Sequence, residues 1–145
     1  MVVVIVLVGS LLVFRGLGAA GAALFASWVA AARYALAVML CFTAIGHFTR
    51  LKDDMARMIP EWVPRPLEMV YFTGLCEFAG AAGLCVPSLR RVAGAALVAF
   101  FVAVLPANIH AARAGVTLGG RAVTGLWIRI PMQIVFIALA WWTSR

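Results

Sequence analysis

The chain has 145 residues, 66% of them hydrophobic, with a mean hydropathy of +1.07 and a net charge of +7. A soluble domain of this length has too little interior to hide that much apolar surface, so the composition points to an integral membrane protein. The apolar runs are long and continuous, without the alternation of a barrel, which leaves an all-α transmembrane bundle in one domain, 1–145. The basic residues sit in short connectors between apolar runs. They suit lipid head groups and form no patch for nucleic acid.

Five apolar segments follow in chain order, at roughly 2–24, 28–48, 67–86, 90–112 and 124–143. The first, opening "MVVVIVLVGSLLVF", has no basic stretch before it and reads as a retained helix, not a cleaved signal. It is short for a span unless Arg15 snorkels and the helix runs on into "GLGAAGAALFA". The second opens at Ser27, a candidate N-cap, with Trp28 at interface level. The connector 49–66, "TRLKDDMARMIPEWVPRP", reads either as a short interfacial helix with a proline-broken tail, lying over the bundle end like a lid, or as an ordinary loop. In "VPSLRR", Pro87 stops the third helix, Ser88 is placed to cap the fourth, and Arg90 and Arg91 anchor at head groups. The fifth segment ends in the aromatic belt "WWTSR".

With five spans the termini lie on opposite sides. The Met1 side holds Arg50, Lys52, Arg57, Arg65, Arg113 and Arg121, and the other side Arg15, Arg33, Arg90, Arg91 and Arg145. The count slightly favours the long loop inside, whereas the first helix, uncharged before and charged after, favours the N-terminus outside and the C-terminus inside. The first helix usually dominates. Three cysteines, Cys41, Cys76 and Cys85, form no C-x-x-C. Cys76 and Cys85 fall about 13 Å apart along one helix, beyond the roughly 7 Å reach of a disulfide.

Alternating helix directions bring the polar residues to one end: His47 closing segment two, Glu77 near mid-depth in segment three, Asn108 and His110 closing segment four, and Arg129 and Gln133 entering segment five. Nothing comparable is expected in the opposite half. Glu77 shares a face with Thr73, Gly74, Gly80 and Ala81, small residues that permit close packing, so it is expected to face the bundle interior. A buried carboxylate needs a partner; Arg129 is the obvious one and His47 the alternative. Asn108 and His110 lie 200° apart on a regular helix, which puts Asn108 inward, toward the face of segment three or five that carries Glu77 or Gln133, and His110 at the rim. Pro106 leaves the Val102 carbonyl as an extra acceptor. His47, Thr73, Glu77, Asn108, Arg129 and Gln133 are thus candidates to line a ligand pocket. Each also has a purely structural reading, as an ion pair or as interhelical glue. Two histidines without metal-ligand spacing and one intramembrane carboxylate give no metal site.

"GHF" at 46–48, "IPEWVPRP", "TGLCE" with Gly74 and Glu77, "PSLRR", "PAN" at 106–108 and "RIPMQ" at 129–133 together resemble the DoxX-like membrane protein family, over about Arg33 to Trp142. The resemblance implies a four-helix core with segment one as an addition, in a small bacterial plasma-membrane protein. Relatives include parts of thiosulfate–quinone oxidoreductases, companions of oxidative-stress enzymes and an animal receptor-assembly chaperone. Catalytic residues are not fixed across the family.

Two functions follow as expectations. One is a subunit that binds a quinone or small molecule in redox or oxidative-stress metabolism, with Glu77 and His47 exchanging protons with an apolar-seated head group. No haem, flavin or iron–sulfur signature is encoded, so a partner redox protein would carry the electrons, and an enzymatic role would be that of an accessory subunit. The other is a non-catalytic membrane scaffold or assembly factor. A proton or solute pathway is a weaker third. The bilayer, or a lipid bound in the pocket, is the common partner, and self-association is compatible with the sequence.

Overall fold

A computed structural model describes residues 2–145. The elements are α1 (Val2–Ala19), a 3-10 turn (Ala23–Phe25), α2 (Trp28–Gly46), α3 (Lys52–Met58), α4 (Pro66–Cys85), α5 (Arg90–Ala103), α6 (Leu105–Arg113), β1 (Thr117–Leu118), β2 (Arg121–Ala122) and α7 (Leu126–Thr143). Helices α2, α4, α5 and α7 pack as a ring, and α1 lies outside it against α2. Leu36, Leu40, Leu84, Leu97, Phe101 and Phe136 fill the centre. Four helices are long and apolar enough to cross a membrane: Val2–Ala19, Trp28–Gly46, Arg90–Arg113 and Leu126–Thr143. The expected third segment, α4, is not among them, because glycines, Thr73, Glu68 and Glu77 interrupt its apolar run.

Lipid tails are as apolar as leucine, so close packing, not water exclusion, holds such a ring together. Glycine supplies the closeness. A Cβ on Gly80 would lie 2.5 Å from Leu97 Cδ2, and one on Gly83 would lie 2.7 Å from Ala93 Cβ. Gly94 receives the Ser144 side chain, which draws the end of α7 onto α5.

Several boundaries differ from expectation. The first helix stops at Ala19 and does not reach residue 24, because Gly21 turns the chain at φ +104°. Arg15 reaches the turn between α1 and α2. Its Nη1 donates to the Phe25 and Ala26 carbonyls (3.1 and 2.7 Å) and its guanidinium lies 4.7 Å over the Trp28 ring, so it ties off the turn. Ser27 does cap α2, its Oγ accepting from the Ala30 amide at 3.1 Å. Ser88 caps nothing. Leu89 is the residue before α5, and Arg90 Nε reaches back to the Leu84 carbonyl at 3.3 Å.

The connector 49–66 does form a helix, α3, followed by turns through Pro60 and Pro64. The 113–123 connector holds a short antiparallel hairpin the sequence reading did not foresee. Gly119 and Gly120, at φ +58° and +75°, make the two-residue turn that matches strand twist. Asp54 on α3 is bonded to Arg57 and accepts from the Gly119 amide at 2.7 Å, which clips the two connectors together. Lys52 Nζ donates to the Tyr71 hydroxyl at 2.9 Å, seating α3 on α4; that bond raises the lysine above its ordinary pKa.

Candidate functional site

The polar residues expected in one cluster separate into two. The first lies between α2 and α4. His47 follows the last turn of α2, where Gly74 on α4 lets it come close: a Cβ on Gly74 would lie 2.7 Å from His47 Cβ. His47 Nδ1 is 2.7 Å from the Val70 carbonyl. A carbonyl only accepts, so Nδ1 carries the hydrogen and a neutral ring presents a lone pair at Nε2. That nitrogen faces Glu77 Oε2 at 3.6 Å, with side-chain exposures of 13% for His47 and 11% for Glu77. Thr73 stands beside the ring, its Oγ1 3.2 Å from Nδ1 and within 2.9 Å of the Met69 and Val70 carbonyls. Thr43, one turn before His47, directs its hydroxyl to the Met39 and Leu40 carbonyls.

The expected inward face of α4 is therefore present: Gly74, Glu77, Gly80 and Ala81 are all buried. Of the two partners open to Glu77, His47 faces it and Arg129 does not. The His47–Glu77 separation is too long for a hydrogen bond, and Glu77 Oε2 is buried without a hydrogen-bond partner. With Nδ1 on the Val70 carbonyl, Nε2 is the ring nitrogen left to face Oε2.

The second group ties α5 and α6 to α7. Arg129 Nη1 donates to Asn108 Oδ1, and Arg129 Nε to the Thr124 carbonyl at 3.0 Å. Gln133 Nε2 donates to the Phe101 carbonyl at 3.2 Å. Asn108 thus reaches the face of segment five that carries Gln133, as expected, with Arg129, one turn before Gln133, as its partner. The extra acceptor moves: Pro106 is the second residue of α6, and the carbonyl that Gln133 serves is Phe101, in the last turn of α5, where helix carbonyls lack partners. Among the described residues no hydrogen bond or ion pair joins the two groups. His110 stands at the rim as expected. It lines a cavity of about 420 Å³ with Arg57, Ile59, Pro60, Glu61 and Val63. A second, of about 340 Å³, lies by Arg65, Glu68 and Phe72. Neither cavity is lined by His47 or Glu77.

The opposite half is not empty of polar groups. Arg33 on α2 is 7% exposed and donates from Nε to the Thr143 carbonyl at 2.7 Å. The sequence reading counted it as an interfacial charge. The signal was its setting, "AAARYALA": an arginine more than one turn inside a helix, flanked by alanines small enough to let α7 approach.

No curated protein and no solved structure matches the chain. The family described as "Domain of unknown function (DUF8561)" matches residues 36–144, from the third turn of α2 through α7, with both polar groups inside the matched region. The match covers well over half of the chain, which belongs to the DUF8561 family.

Proposed function

We propose that this is a multi-pass membrane subunit that binds the head group of a lipid-soluble, proton-exchanging small molecule of the quinone class beside His47 and Glu77. The observation that carries the reading is the buried, unpartnered Oε2 of Glu77 opposite an imidazole whose other nitrogen is already committed. Such an oxygen wants a proton or a ligand donor. Reduction of a quinone takes two electrons and two protons. The pair passes protons one at a time, and a partner redox protein supplies the electrons. The reading takes α4 as a fifth span: its 20 residues extend about 30 Å, and past Glu68 in the first turn its outward residues Met69, Phe72 and Leu75 are apolar. The DoxX-like resemblance supports the same arrangement, a ring of four helices with α1 added, in a bacterial plasma membrane. The orientation proposed is N-terminus outside and C-terminus inside.

A scaffold is the second reading. The observation favouring it is that Asn108, Arg129 and Gln133 are occupied by one another and by backbone. One preparation separates the two. Wild type and Glu77→Gln are purified, their melting temperatures measured and their lipid extracts assayed for quinone. The ligand reading expects quinone with the wild type, less with the variant, and equal melting temperatures. The scaffold reading expects no quinone with either and a less stable variant; that result would overturn the proposal.

A further inference from the structure

The end of the bundle carrying the α4–α5 turn and the end of α7 has arginines and no acidic side chain. Arg15, Arg33, Arg90, Arg91 and Arg145 lie there, whereas all five acidic residues (Asp53, Asp54, Glu61, Glu68 and Glu77) lie on α3, the connector after it or α4 up to Glu77. Two of these arginines converge. Arg33 is buried beneath the end of α7 with Nε on the Thr143 carbonyl. Arg90 opens α5 with Nε on the Leu84 carbonyl, and one turn later Gly94 admits Ser144, the neighbour of Thr143. The contact of Gly94 with Ser144 thus brings the first turn of α5, with Arg90, to the end of α7 that Arg33 holds. Among the described residues, neither has a hydrogen-bond partner for its Nη atoms, and no carboxylate side chain stands near to neutralise them.

We infer that Arg33 and Arg90 form a binding site for the phosphate of an anionic phospholipid. A buried guanidinium is costly without a counter-charge, and two forks of N–H donors match phosphate oxygens. The occupant is a lipid and not free phosphate, because exposed Val86, Leu89, Val92 and Trp141 surround this end and offer an apolar surface to acyl chains. Arg145, stacked 3.9 Å over the Trp141 ring, and Arg91 add to the positive field. The site rests on the membrane reading above and is independent of the quinone assignment, which concerns the other end of the ring.

The test uses the full chain in detergent, equilibrated with equal amounts of phosphatidylglycerol and phosphatidylcholine of identical acyl chains, with bound lipid read by native mass spectrometry. The wild type is expected to retain the anionic lipid preferentially. Arg90→Gln, whose position is half-buried, should lower that preference about fivefold, the worth of one cation at an anionic surface. Arg33→Gln should do the same, while Arg50→Gln at the far end should leave it intact. Equal retention of both lipids by the wild type, or an unchanged preference in Arg90→Gln, would overturn the site. Displacement of the lipid by millimolar inorganic phosphate would overturn the assignment of its occupant. Release of the protein from membranes by alkaline carbonate would instead overturn the membrane reading beneath it.

Discussion

Gly74→Ala puts a methyl group into the tightest point between α2 and α4. The added carbon would lie 2.7 Å from His47 Cβ and 3.0 Å from both His47 Cγ and Phe48 Cε2. Carbon atoms pack best about 3.5–4.0 Å apart, so the helices must separate there by about 1 Å. Overpacking of this kind costs about 1–3 kcal/mol, offset by about 1 kcal/mol from alanine's better helix propensity. The same separation carries His47 Nδ1, now 2.7 Å from the Val70 carbonyl, out of hydrogen-bond range, at a further cost of about 1 kcal/mol. The net loss is about 2 kcal/mol, or a fall of about 4–8 °C in Tm for a chain of this size. Thermal unfolding in one detergent measures it, with Gly9→Ala as the control, since nothing lies within 4 Å of a Cβ at Gly9. If Gly74→Ala melts with Gly9→Ala, the close approach of α2 and α4 at His47 is wrong, and the geometry of the histidine–glutamate pair falls with it.

Asn108→Leu leaves Arg129 without its side-chain acceptor and should lower stability by about 1–3 kcal/mol in the same unfolding assay; an unchanged Tm would show that the two side chains do not meet. Gln133→Leu strips the donor from the Phe101 carbonyl and should cost about 0.6–2 kcal/mol, while Gln133→Asn, too short to reach, should cost as much. Asp54→Ala frees the hairpin at Gly119, so limited proteolysis should cut near Gly119–Gly120 sooner with Tm almost unmoved, because the clip is exposed. Replacing Cys41, Cys76 and Cys85 together by alanine should leave quinone and lipid retention as they are, since all three are free thiols and none takes part in the hydrogen bonds of either polar group.

The helices were legible because hydropathy and punctuation agree: Ser27, Pro66 and Pro87 mark real ends. The inward aim of Glu77 was legible too, since a carboxylate on a stripe of glycine and alanine has one sensible direction in a membrane. Its partner was not. Helical phase places a residue on a face of its own helix but does not say which neighbour that face meets, and charge alone favours Arg129, a permanent cation, over His47. The ring order, with α2 beside α4 and α5 beside α7, decides between them. Arg33 was missed for a related reason. Near a helix start an arginine ordinarily reaches for head groups, and only the return of α7 to place the Thr143 carbonyl 2.7 Å away makes it an interior residue.

The place of α1 outside the ring bears on how the protein is made. Its packing partners are α2 and the turn between them, through Val3, Val6, Leu7, Leu11 and Phe14, with Phe14 stacked on Phe25 at 4.6 Å. All of these contacts lie within residues 2–46, so the pair can close as soon as α2 has been synthesised, without waiting for α4, α5 or α7. Its turn is tied by Arg15 from within the same segment. The face of α2 that carries Leu36, Leu40 and His47 is then held in place as the template on which the later helices assemble.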